Sequence, residues 1–310
     1  MDIAQSEFIS EKNKVSKKVK KVVLLLKSNH ADIELRHFYA QIAEVRLHWA
    51  EMGSKKNTSP PIVLIHGLND SYLTWIRIAT VLAKNRRVLI PDLPGHGLSE
   101  RPDASYALCW HAQILIKWIE MLGIEKVDLA GHSFGGGVAQ MILRDCHHRV
   151  RKLILLSSGG LGREVAFELR LASLTWAVEK LGQPFMALGT FLALWKIRRH
   201  LPKEHISDLS AMNRQKGSAR AFARTVNDVI NWRGQYRTFF QHIHELPNLP
   251  PIALFWGVRD RIIPAEHARK AEKSIQGVLI TLFAECGHHL HHEKPQLVGE
   301  AFRDFLDEPS

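Results

Sequence analysis

The chain of 310 residues is long enough for one large domain or two modest ones, with an ordinary globular balance of 45% hydrophobic and 24% charged side chains. Its formal charge of +11 would attract anionic surfaces, but no recognition helix, zinc finger or aromatic nucleic-acid motif accompanies it, so nucleic acid is not expected as a partner. No stretch approaches the roughly 20 apolar residues of a membrane span, and three scattered cysteines, Cys109, Cys146 and Cys286, build no disulfide framework, which points to a reducing cytoplasm.

Residues 1–32 differ from the rest in being dense in lysine, with Lys17, Lys18, Lys20 and Lys21. Val15, Val19, Val22, Val23 and Leu26 follow helical spacing, which predicts a basic amphipathic helix. Such an extension either packs its apolar stripe on the body or makes a weak contact with a membrane surface. The apolar run Val22 to Leu26 is shorter than the about 7–15 residues of a signal peptide, so export by that route is not expected.

From Ile33 the residues alternate (Ile33, Leu35, His37, Tyr39, then Val45, Leu47, Trp49), as in an antiparallel hairpin. After a polar loop from Ser54 to Pro61, Ile62 to Ile65 is a continuous apolar run of the kind buried inside a parallel sheet, and it ends at His66-Gly67. A helix is predicted from about Ser71 to Lys84, a buried strand at Val88 to Pro91, a turn-rich loop at Asp92 to Gly97, and a helix from Tyr106 to Leu122. A strand from Val127, a helix from Val138 and a further strand at Lys152 to Leu156 continue the alternation, which argues for parallel crossover units. That rhythm stops from about Leu161 to Leu246, a stretch rich in Leu, Ala, Trp and Arg that reads as inserted helices. Strands resume at Ile252 to Trp256 and Val278 to Phe283, and a last helix covers about Pro295 to Leu306.

The most informative stretch is Val127 to Gly137, VDLAGHSFGGG. A buried strand breaks into Gly131-His132-Ser133-Phe134-Gly135, and a helix follows. A turn this tight forces the serine backbone into strain, and side chains at Gly131 or Gly135 would crowd it. Ser133 is then presented at the tip, with the Phe134 N–H at a helix start that favours developing negative charge. The plainer reading is a glycine-rich turn whose serine caps the helix.

With these motifs in order, residues 33–307 resemble the α/β-hydrolase fold family. The signatures are His66-Gly67 after a strand, Asp92 to Gly97 with Ser99, the GHSFG elbow, and Trp256-Gly257-Val258-Arg259-Asp260-Arg261 followed by Gly287-His288. The resemblance implies a mostly parallel central sheet flanked by helices. Its core would be split into 33–160 and 247–310, with a helical cap inserted at 161–246.

The resemblance also implies a catalytic set in the order serine, acid, histidine: Ser133, Asp260 and His288. Asp260 could instead pair with Arg259 or Arg261 at the surface. His289 is the fallback if the register slips by one, and His291 and His292 read as polar residues leading into the last helix. The run of histidines lacks a cysteine or carboxylate set, so neither metal nor cofactor is expected. The oxyanion donors would be the backbone N–H groups of Leu68 and Phe134, with His66, Gly67, Gly131, His132 and Gly135 supporting the elbow and its facing loop. His66 and Asp92 would brace loops.

These features imply a carboxylesterase-like serine hydrolase acting on a small-molecule ester of small to medium acyl length. The alternatives are a carbon–carbon bond hydrolase of ring-cleavage products and a cofactor-free perhydrolase. WGVRDR favours the carbon–carbon enzymes, but they carry tryptophan where this chain has His289. A receptor that keeps the triad residues is the reading from outside enzymes. Leu171, Leu174, Trp176, Phe185, Met186, Phe191 and Trp195 either line an acyl pocket or pack the inserted helices together, with most expected as core. The excess of basic residues in the insert is expected on a solvated outer face, the alternative being an anionic acyl substrate or a lipid surface.

Overall fold

The computed structural model describes residues 19–25, 34–56, 59–172, 175–246 and 248–309. Strand β1 (Val19–Leu25) leads into β2 (Glu34–Ile42) and β3 (Val45–Met52), then β4 (Ile62–Ile65). Helix α1 (Ile76–Leu82) and β5 (Val88–Pro91) follow, then α2 (Leu108–Met121), β6 (Val127–His132), α3 (Phe134–Cys146) and β7 (Val150–Leu156). Five helices come next: α4 (Phe167–Leu171), α5 (Thr175–Leu181), α6 (Met186–Trp195), α7 (Lys203–Asn213) and α8 (Ser218–Val229). The chain closes with the hairpin β8 (Ile230–Asn231) and β9 (Gly234–Gln235), then β10 (Ile252–Gly257), α9 (Glu266–Glu272), β11 (Leu279–Phe283), α10 (Leu290–Glu293) and α11 (Pro295–Asp307).

Nine strands form one sheet in the order β1-β2-β3-β5-β4-β6-β7-β10-β11. Pairings from β1 to β5 are antiparallel, and those from β5 to β11 are parallel. Strand alternation divides the core in two. Val63, Ile65, Leu129, Leu153, Leu155, Leu254 and Trp256 face α2, α3 and α9. Ile62, Leu64, Ala130, Ile154, Leu156, Ala253 and Phe255 face α1 and α11. Both faces are covered, which is why the central strands read as unbroken apolar runs.

The N-terminal expectation is corrected where the structure describes it. Val19–Leu25 is an edge strand, antiparallel to β2, and not a helix; residues 1–18 and 26–32 lie outside the described residues. The segment VKKVVLL is rich in valine, which suits a strand, and the free edge of β2 supplies its backbone partners. A second correction concerns residues 161–246. Met186 is buried as expected, but Leu171, Trp176, Phe185, Phe191 and Trp195 are exposed; Leu174 lies outside the described residues. Helices α4 to α8 and the β8–β9 hairpin add no strand to the main sheet.

Charged groups are also buried at the end of the sheet far from the elbow. Asp128 in β6 accepts from Arg86 Nη1 (3.0 Å) and from Arg151 Nε and Nη2 (2.8 and 2.6 Å). Arg86, itself buried, also meets Asp307 at the end of α11. Removing the shared carboxylate would leave the buried Arg86 guanidinium with only the more exposed Asp307 carboxylate opposite it. Asp128→Ala is therefore expected to cost about 3–5 kcal/mol, measured by urea denaturation, while Arg303→Ala at the exposed Asp304 contact should cost under about 1 kcal/mol.

Candidate active site

At the tip of β6, Ser133 has φ 53° and ψ −117°, a conformation disfavoured for a side chain with a Cβ. Its neighbours leave it no alternative. A Cβ on Gly131 would lie 2.3 Å from the Gly135 carbonyl oxygen, and one on Gly135 would lie 2.4 Å from the carbonyl oxygens of Ile65 and His66. The Ser133 backbone is held from both sides: its N–H donates to Leu156 O (3.0 Å), and its carbonyl accepts from Gly136 N–H and Gly159 N–H (3.1 and 2.9 Å). The hydroxyl is left without a hydrogen-bond partner among the described residues.

Asp260 and His288 come from neighbouring strand ends. Gly257 at the end of β10 lies so near the next loop that a Cβ there would meet Gly287 O at 2.2 Å. Arg259 N–H donates to Cys286 O (2.9 Å), which fastens the two loops together. Across this contact His288 Nδ1–H donates to Asp260 Oδ2 (2.8 Å), while Asp260 Oδ1 accepts from the N–H groups of Ile262 and Ile263 (2.8 and 2.9 Å). Burial opposes ionisation of Asp260, yet His288 and the two amides hold its carboxyl below the usual range. The tautomer that results leaves His288 Nε2 free to accept a proton. Arg259 turns away to pair with Glu285, so the surface-pair alternative for Asp260 does not arise at that residue.

Ser133, His288, Leu68 and Phe134 line one cavity of about 730 Å³. Among the described residues neither the Leu68 nor the Phe134 N–H is matched to an acceptor. Gly67 brings the first of these loops against the elbow: a Cβ there would be 3.4 Å from the Ser133 Cβ and 3.1 Å from His132 Nδ1. His66 braces the same loop, accepting from Leu93 N–H at Nε2 (2.9 Å) and donating from Nδ1 to Gly67 O (2.8 Å). Asp92 likewise accepts from the N–H groups of Tyr72 and Leu98 and from His48. His289 also lines the cavity, but among the described residues it has no carboxylate partner.

The histidines after His288 are not a polar surface. His291 and His292 are buried, each with Nε2 on the Thr74 hydroxyl (2.8 and 2.9 Å). The sequence separates them from His132 by more than 150 positions, whereas the fold sets His132 against His291 in a tilted contact with ring centres 4.4 Å apart. His132, His289 and His291 offer nitrogens within 4.8 Å of one another, so the third imidazole that a metal would need comes from the elbow. His132 Nε2–H also donates to His288 O (3.0 Å), tying the elbow to the histidine loop. A supporting residue invisible in the sequence is Glu293, whose carboxylate accepts from Gly287 N–H (3.0 Å); no local pattern marks that role.

Residues 60–295 match the family model described as the alpha/beta hydrolase fold. The chain belongs to the alpha/beta hydrolase family. It is 32% identical to an uncharacterized protein of Mycobacterium tuberculosis over 264 residues, 81% of this chain and 76% of that one. It is 28% identical to the 2-hydroxymuconate semialdehyde hydrolase of a Pseudomonas species over 254 residues, 80% of this chain and 87% of that one. In fold it resembles Cfl2 of Burkholderia cenocepacia, with a TM-score of 0.74 at 24% identity, covering 91% of this chain and 99% of that one. In this alpha/beta hydrolase no described helix is long and apolar enough to cross a membrane.

One wall residue titrates unusually. Asp70 is buried beside the cavity, and burial raises its carboxyl to about 7, against the opposing bonds from Ser71 N–H and Thr74. The folded protein thus holds a proton that the unfolded chain gives up near pH 4, and this preference is lost as pH rises to about 7. Asp70→Asn is expected to match wild type in stability near pH 4 and to exceed it increasingly toward pH 7, by up to about 4 kcal/mol. Urea midpoints across that range measure the difference.

Proposed function

We propose that this protein is a serine hydrolase that cleaves carboxylic esters through an acyl-enzyme. The observation that carries the reading is the Asp260–His288 pair opening into the same cavity as Ser133 on its strained turn. Ser133 Oγ attacks the ester carbonyl as His288 Nε2 takes its proton. The Leu68 and Phe134 amides receive the oxyanion. His288 returns the proton to the leaving alcohol, and water then releases the acid by the same route, with Asp260 stabilising the imidazolium throughout.

The cavity wall supports an uncharged acyl group. Met141, Val165, Leu169, Met186, Phe222 and Ile262 contribute apolar surface. The two arginines that reach the cavity are already paired, Arg144 with Asp145 (2.6 Å) and Arg237 with Asp228 (2.7 Å). Hydrolysis of a carbon–carbon bond in a ring-cleavage acid is the second reading, favoured by the 28% identity to 2-hydroxymuconate semialdehyde hydrolase. Such an acid needs a cation for its carboxylate, and those two are engaged.

Purified protein is expected to turn over nitrophenyl esters of medium chain length. Ser133→Ala and Asp260→Asn should each lower kcat by roughly 10⁴-fold. Ester turnover that survives in Ser133→Ala would sink the proposal, and turnover of a dienone acid alone would put the carbon–carbon reading in its place.

A further inference from the structure

Helix α6 is apolar on both sides. Met186, Gly189, Thr190 and Ala193 line the cavity, so one side of the helix roofs the candidate active site. Leu188, Phe191, Leu192 and Trp195, spaced i, i+3, i+4 and i+7, are exposed on the other. Nine of the fifteen exposed large hydrophobic residues among those described fall between Phe167 and Trp195, including Trp176 at 73% and Phe185 at 65% exposure. A single exposed leucine needs no explanation, but a concentration of this kind does. Phe185 both lines the cavity and stands in solvent, so the apolar surface continues from outside to inside.

Charge identifies what would cover this surface. Residues 181–203 contain no Asp or Glu, and the apolar stripe runs directly into exposed Lys196, Arg198 and Arg199. None of these three has a carboxylate within 4 Å among the described residues, and the Arg198 guanidinium lies 4.6 Å from the centre of the Trp195 ring. An apolar helix face with tryptophan at its end and unpaired cations beyond is the pattern of a helix lying in a bilayer interface, where anionic headgroups meet the cations. A second copy of the chain fits less well, because a self-contact through residues 181–203 would bring no Asp or Glu of that segment to these cations.

We propose that the outer face of α6, with the exposed residues of α5 and Phe185 beside it, docks on an anionic lipid bilayer. Docking sets Leu188, Phe191, Leu192 and Trp195 among the acyl chains and Lys196, Arg198 and Arg199 at the phosphates. It also places the cavity one helix away from the lipid. A lipid-borne ester is then the substrate class, a step that rests on the ester-hydrolase reading, whereas the docking does not.

The test separates the two by measuring binding in the full chain carrying Ser133→Ala, which leaves lipids intact. Co-sedimentation is measured with phosphatidylcholine vesicles, with and without phosphatidylglycerol. Binding is expected to the anionic vesicles and to fall by roughly ten-fold or more in Leu192→Ser/Trp195→Ser and in Arg198→Gln/Arg199→Gln. Leu297→Ser, an exposed site on α11, should leave it unchanged. Circular dichroism and urea midpoints certify the fold of each variant, and the charge double carries the test alone if the apolar double unfolds. Equal binding to neutral vesicles, or wild-type binding by both doubles, would overturn the proposal, the latter placing the contact elsewhere, such as the lysine-rich N-terminus. A dimer in sedimentation equilibrium that the apolar double abolishes, without vesicle binding, would overturn it in favour of a second copy.

Discussion

The close approach of the β4 loop to the elbow is the constraint on which the rest of the site depends. Gly135 sits where a Cβ would lie 2.4 Å from two carbonyl oxygens of Ile65 and His66, and Gly131 is packed as tightly against Gly135. Because neither carries a side chain, the two loops approach closely enough for Leu68 and Phe134 to line one cavity with Ser133. The strain of a positive φ at Ser133 costs on the order of 1–3 kcal/mol. It is sustained by three backbone hydrogen bonds to β7, α3 and the loop at Gly159. A larger residue at either glycine would separate the loops before it relieved the serine.

The acid–base half of the site is fixed by a different means. Histidines rather than glycines join the elbow to the loop of His288: His132 reaches its carbonyl, and His291 and His292 share one threonine hydroxyl beneath it. A hydroxyl has a single proton to donate, so at least one of the two rings must present its own N–H. Burial drives His132, His291 and His292 well below the ordinary range and pushes His289 down to about 3, so these rings stay neutral. Among the described residues, His288 is the ring of this group of five that is bonded to a carboxylate, Asp260.

The sheet and the elbow were legible in the sequence because their signals are local. Ile62–Ile65 and Lys152 to Leu156 read as buried strands without reference to any partner, and the spacing of Gly131 and Gly135 around Ser133 is a statement about one turn. What the sequence hid depends on distant partners. Val19–Leu25 fits helical and strand patterns alike, and the open edge of β2 decides between them. His291 and His292 look polar until Thr74, some 217 positions away, is folded onto them. Glu293 gains its role only because α10 turns back toward Gly287.

The inserted helices show the opposite failure, where a correct composition gave a wrong location. Leu and Trp residues at helical spacing imply burial only if each helix has one apolar face, and α6 has two. Its inner face, with Met186 and Thr190 buried, is all that the cavity can use. The outer face makes no contribution to the core, so nothing in folding stability requires Leu188, Leu192 or Trp195 to be apolar. Polar residues there would have served solubility better. Their apolar character beside exposed Lys196, Arg198 and Arg199 therefore belongs to access rather than to the fold: the sheet edges set the chemistry, and the outside of one helix sets where it can be delivered.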